Sequence, residues 1–146
     1  MKKLFSLALA GTLALSLCAC GDKSYKDGTY TARSSEHISE DSNSDEGNGY
    51  GEVEITIKDG KISSCTFKTY EIDGTPKGED YGKEDGEIKN KDYYQRAQRA
   101  NKACENYARQ LVAKGELDGV DLVTGATINY NEFKEAVEAA LKQAEE

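Results

Sequence analysis

The sequence predicts an α+β domain, a small twisted antiparallel sheet packed on two helices, and three observations carry that prediction. Val53, Ile55 and Ile57 alternate with polar residues and run into an Asp59-Gly60 pair, the signature of a tight hairpin. Two later segments repeat apolar residues at steps of three and four, as amphipathic helices do. Strand patterns come first and helix patterns last, so the two types are segregated along the chain.

Lys2-Lys3 precede an apolar run from Leu4 to Leu17, followed by Cys18-Ala19-Cys20. A basic start, a short apolar stretch and small residues at its end are the order of a secretory signal. The run is shorter than the roughly 20 apolar residues a transmembrane helix needs. Leu17-Cys18-Ala19-Cys20 resembles the bacterial lipobox, with an ordinary signal peptide as the alternative. The resemblance implies removal of residues 1–19, acylation of Cys20, and a chain tethered to the outer face of a cell membrane, since two acyl chains suffice for stable anchoring. Residues 20–26 then form a lipidated tether, a leash spanning at most about 25 Å, which keeps the folded domain near the membrane surface. The folded domain occupies 27–146.

Within it, Asp27 to Ala32 reads as a first strand. Residues 34–50 hold five acids, five serines and no Lys or Arg, and read as a solvated acidic loop or a locally disordered insert. The hairpin follows, Glu52 to Lys58 and Lys61 to Tyr70. With Lys58 opposite Lys61, an uninterrupted ladder pairs Ile57 with Ile62 and turns Cys65 and Phe67 to the other face, beside Glu54 and Glu52. Both faces would then need a partial cover of helix or cofactor. Residues 71–90, with glycines at 74, 78, 82 and 86, carry no regular element. Tyr93, Ala97, Ala100, Cys104, Tyr107 and Leu111 mark a helix from Asp92 to Lys114, ended by Gly115. Phe133, Ala136, Val137, Ala140 and Leu141 mark a second from Tyr130 to Ala144, with Asn129 and Glu132 spaced as a capping box. A short strand is expected near Val120 to Val123.

Composition narrows the function. The chain has 27 acids against 19 bases and a net charge of −8, so nucleic acid is not an expected partner. One histidine, His37, leaves histidine-based metal sites and catalytic triads without material, and no metal is expected. Cys65 and Cys104 would reside where a disulfide is allowed; the sequence leaves open a disulfide or two thiols.

Thr124-Gly125-Ala126-Thr127 sits at a helix start, where backbone N–H groups favour an anion such as phosphate. Taken alone, the segment reads equally well as a turn with a hydroxyl cap. In context, Asp121-Leu122-Val123-Thr124-Gly125-Ala126-Thr127 matches the pattern Asp, two residues of any type, Ser/Thr, Gly, Ala, Ser/Thr that marks covalent flavinylation, and with Lys26 to Ala32, Lys58 to Ile62 and Phe133 to Ala144 it resembles the FMN-binding domain family. That family includes flavin-carrying subunits of sodium-pumping quinone oxidoreductases and flavinylated bacterial lipoproteins.

The resemblance implies that a flavin transferase, using FAD and a divalent cation, joins the FMN phosphate to the Thr127 hydroxyl as a phosphodiester. Thr124 and Gly125 would shape the turn, Ala126 would keep it free of bulk, and Asp121 would serve transferase recognition or loop positioning. The Glu-Thr pair that many members carry after the second hairpin strand is absent: Tyr70-Glu71-Ile72-Asp73-Gly74-Thr75 stands there. Contacts to the isoalloxazine are therefore not carried over. Tyr50, between Gly49 and Gly51, and Tyr81 are candidates for stacking on the ring, or ordinary core and surface tyrosines. The function expected is a membrane-anchored, extracytosolic electron carrier with covalent FMN, passing electrons from a redox donor to an acceptor, since no acid, base or nucleophile set marks a substrate-specific enzyme. The alternatives are a flavin-dependent reductase of a small substrate and a flavin-free binding module.

Overall fold

The computed structural model describes residues 24–44 and 46–145. The signal segment 1–19 and the acylation candidate Cys20 lie outside the described residues. Strands β1 (Gly28–Arg33), β2 (Tyr50–Lys58) and β3 (Lys61–Tyr70) form an antiparallel meander in the order β1-β2-β3. Asp59 and Gly60 both take positive φ, 54° and 73°, the type I′ turn expected of this pair. The Asp27 carboxylate accepts the Gly60 N–H at 2.9 Å, and backbone N–H donors from Gly60 and Asp59 hold its carboxyl below the usual range.

The hairpin departs from the expected register in one place. Ile57 pairs with Ile62 and Lys58 with Lys61, but the next pair is Thr56 with Ser64, leaving Ser63 as the extra residue of a β-bulge. The Ser63 hydroxyl donates to the Thr56 carbonyl at 3.0 Å, meeting a backbone acceptor at the interruption. Beyond the bulge Cys65 faces Ile55 and Phe67 faces Val53, so both lie on the inner face rather than beside Glu54 and Glu52. The two-faced apolar sheet is thereby corrected: Val53, Ile55, Ile57, Ile62 and Phe67 are all buried on one side.

Both helices cover that side. Helix α1 (Lys91–Lys114) packs on β3, and α2 (Thr127–Glu145) packs on β2 and β1. Asn90 caps α1 by accepting the Tyr93 N–H at 3.0 Å, and the Gly115 N–H closes it on the Leu111 carbonyl at 2.8 Å. Alanines 136, 140 and 144 on the inner face of α2 let it lie close to the sheet. Tyr107 and Phe133 fill the centre, stacked at 5.7 Å, with Phe67 edge-on to Phe133 at 5.1 Å.

Two further expectations are corrected. Helix α2 begins at Thr127, so Asn129 and Glu132 are not a capping box but buried residues of its first turns. The 120–123 segment is no strand: after a single 3-10 turn at Leu117–Gly119 its backbone groups bond to side chains of the helices. Residues 34–44 and 46–49 form a loop tied down by hydrogen bonds. His37 and Gly49 exchange backbone bonds at 2.7 and 3.0 Å, the Ser34 hydroxyl accepts the Gly51 N–H at 3.0 Å, and the Ser35 hydroxyl donates to Glu135 of α2.

The chain enters at one end of α2. Tyr25 packs against the core and the Lys26 N–H donates to the Ala144 carbonyl at 2.9 Å. Thr127 stands at the opposite end of the same helix. Among the described residues no helix is long and apolar enough to cross a membrane.

Candidate functional site

The segment preceding α2 is held in place by three side chains. The Gln110 amide takes the backbone of Asp121 from both sides, its oxygen accepting the N–H at 2.8 Å and its nitrogen donating to the carbonyl at 3.2 Å. Tyr107, fully buried, accepts the Val123 N–H at 3.2 Å and donates to the Ala126 carbonyl at 3.1 Å. The Tyr130 hydroxyl donates to the Val120 carbonyl at 3.0 Å. The loop is therefore fixed to both helices without a sheet partner, its backbone groups paired with side chains instead.

At its end Gly125 adopts φ 83°, a conformation that costs a residue with a Cβ and turns the chain sharply into α2. Ala126 is buried, and its carbonyl accepts the Tyr130 N–H at 2.9 Å, the first i to i−4 bond of the helix. The N–H groups of Thr127, Ile128 and Asn129 precede that bond and have no intrahelical acceptor. Thr127 is exposed at this helix start.

Thr127 stands on the lip of an open cleft of about 310 Å³, walled by Gly125 to Asn129, α1, the 71–90 segment and the end of the acidic loop. Tyr81 and Tyr93 line it, edge to face at 6.3 Å. Burial and the Tyr81 hydroxyl push the Tyr93 phenol well above its ordinary value, so at neutral pH it is an uncharged aromatic wall. Lys77 lies in the wall, 8% exposed, with its Nζ 3.1 Å from the Gly47 carbonyl and 5.1 Å from the centre of the Tyr81 ring. Among the described residues no carboxylate comes within 4.0 Å of it. At the mouth Arg96 pairs with Glu46 at 3.2 Å, both half exposed, a contact worth little to stability.

Of the residues singled out in the sequence, Gly125, Ala126 and Thr127 come together at the cleft, and Tyr81 joins them. Asp121 and Thr124 are exposed on the preceding loop and do not line it. Tyr50 is away from it on the outer face of the sheet, stacked on Tyr70 at 5.3 Å under Arg33. Cys65 and Cys104 are free thiols, each pushed up to about 12 by burial and hence protonated at neutral pH.

Sequence reasoning missed Lys77, because the segment around it has no periodicity. It also missed the clamps, because Tyr107 has the spacing of any core residue and Gln110 that of any polar one. Glu132 was hidden behind its capping-box spacing, although Asn129 continues the buried stripe of α2 by a step of four before Phe133.

Comparison with known proteins bears on the family and the fold. A family model described as the FMN-binding domain matches residues 48–142. The "15 kDa lipoprotein" of Treponema pallidum (strain Nichols) is 30% identical over 139 residues, covering 90% of this chain and 85% of that protein. A crystal structure of a Clostridium perfringens protein has the same fold, with a TM-score of 0.57 and 24% identity over 83% of this chain and 89% of that one.

Proposed function

Because the chain belongs to the FMN-binding domain family, we propose that it is a lipid-anchored, extracytosolic electron carrier whose FMN is joined through its phosphate to Thr127. One observation carries this reading: an exposed threonine is the first residue of α2 and also stands on the lip of a cleft with two aromatic walls. The residues fit the group. The Thr127 hydroxyl is accessible for a phosphodiester, and the free N–H groups of the first turn suit phosphate oxygens. Tyr81 and Tyr93 offer ring surface to a flat heterocycle. Lys77 supplies a buried positive charge against an electron-rich ligand.

When bound, the flavin supplies one- and two-electron chemistry. The protein's own residues hold, orient and partly cover it. Tyr107 and Gln110 fix the attachment loop, Glu46 and Arg96 narrow the mouth, and the open cleft leaves an edge of a ligand accessible to a partner. Attachment is the work of a separate flavin transferase, Cys20 carries the acyl chains, and a redox donor and acceptor complete the path. The lipoprotein named among the relatives supports the anchor.

Carrier and reductase are separated by acceptor range. Reduced protein mixed with ferric chelates and quinone analogues of differing shape and charge is expected to be reoxidised by many of them, with rates that follow potential and charge. Saturation and selectivity for one small molecule, lost when a cleft residue other than Thr127 is replaced, would make it a reductase.

A further inference from the structure

Behind the cleft wall lies a second buried group that attachment does not use. Glu132 is 4% exposed, and neither of its carboxylate oxygens has a hydrogen-bond partner among the described residues. Leaving such a group unsatisfied is costly, and here the surroundings make room for it. A Cβ at Gly51 would stand 3.0 Å from that of Glu132, and one at Gly49 would stand 2.8 Å from the Lys77 Nζ. At both positions the lack of a side chain lets the backbone lie close against Glu132 and Lys77.

The groups facing Glu132 can be named element by element. The 71–90 segment brings Lys77, whose charge favours the carboxylate. Helix α1 brings the protonated Cys104 thiol, which accepts from the Asn129 amide at 3.5 Å. The adjoining positions of β2 and β3, Gly51 and Thr69, bring no charge, and the residue that follows β1, Ser34, brings only a hydroxyl near Gly51.

We propose that Glu132 is a proton-holding group that couples the reduction potential of the cofactor to pH through Lys77, which stands between it and the cleft. This rests on the reading of the cleft as the flavin site. Two electrons from the donor and one proton from solvent enter the ring, which then carries one more negative charge than before. Lys77 favours that charge, and its own attraction for the Glu132 carboxylate is correspondingly offset. Glu132 takes a second proton from solvent onto a carboxylate oxygen, and the interior keeps its net charge. On reoxidation the proton returns to solvent. Burial, opposed by Lys77, places the carboxyl at about 7, so it is poised to respond in the neutral range. Glu132 acts here as a positioning residue for charge, with no contact to the reacting atoms required.

The test is the pH dependence of the midpoint potential of flavin-loaded wild type and Glu132→Gln, followed between about pH 7 and pH 8, just above the carboxyl's own value. Wild type is expected to take up more protons per electron pair than the variant, about half a proton more near pH 7 and approaching one near pH 8. The same event is visible without a variant as an upward shift of the Glu132 carboxyl titration, read by carbon-13 NMR, when the loaded protein is reduced with dithionite. Loaded wild type whose carboxyl titrates identically in both redox states, or whose proton uptake equals that of the variant, overturns the coupling and leaves the carrier reading standing. A chain that never acquires flavin from the transferase overturns both.

Discussion

Glu132 also makes a prediction that needs no cofactor. Its carboxyl stands at about 7 in the folded chain, against an ordinary value of 4.5. The native state therefore binds the proton more tightly than the unfolded state does. Stability falls as pH rises from about 4.5 through about 7 and is flat above. Glu132→Gln removes that fall and stabilises the protein at pH 8 by up to about 3 kcal/mol relative to wild type, a difference that urea unfolding at two pH values measures. Tyr107 predicts the opposite sign. Its buried hydroxyl serves two backbone groups of the loop before α2, so Tyr107→Phe strands the Val123 N–H and costs about 1–2 kcal/mol, with a lower denaturation midpoint at an unchanged slope.

At the scale of elements, the hairpin shows how far sequence reading reaches. Alternation from Val53 to Ile57 and the Asp59-Gly60 pair sufficed for two strands, their turn and the first two cross-strand pairs. The bulge at Ser63 was not expected, because one inserted residue leaves no turn signal. Its trace was a change of parity: Ile62 is apolar at an even position, Cys65 and Phe67 at odd ones. Deleting Ser63 restores the unbroken ladder and turns Phe67 to solvent. The expected loss is more than about 3 kcal/mol, the size of a buried aromatic removed from a core, and circular dichroism during thermal unfolding reads it. The start of α2 was missed by three residues for a related reason. Asn129 and Glu132 have the spacing of a cap, but their burial behind the cleft decides their role. The 121–127 segment stood out in the sequence as a motif, whereas the side chains that clamp it did not, since Gln110, Tyr107 and Tyr130 reach it only through tertiary packing.

The whole molecule has two poles. The chain enters beside Ala144 and the Asp59-Gly60 turn, while Thr127, Tyr81 and the ordered acidic loop gather at the other end. Seventeen residues of α2 separate Thr127 from Ala144, about 26 Å at 1.5 Å per residue. On the proposed anchoring at Cys20, the leash limits the distance to the membrane, while the cleft lies at the pole away from Lys26. Flavin fluorescence of protein anchored to vesicles is therefore expected to be quenched by aqueous iodide and spared by headgroup-labelled quencher lipids. Strong quenching by the lipids would place the cleft against the bilayer. The 34–50 loop adds negative charge at the cleft pole, which slows anionic acceptors through a repulsion that salt screens.

The central claim is a covalent bond at one hydroxyl, and intact mass of protein coexpressed with the flavin transferase tests it most directly. Wild type is expected to gain the mass of FMN less one water, on the peptide containing Thr127. Thr127→Ala is expected to fold, with the same circular dichroism, and to gain nothing. Flavin that remains covalently attached to the alanine variant, or a wild type that never acquires it, would contradict the account.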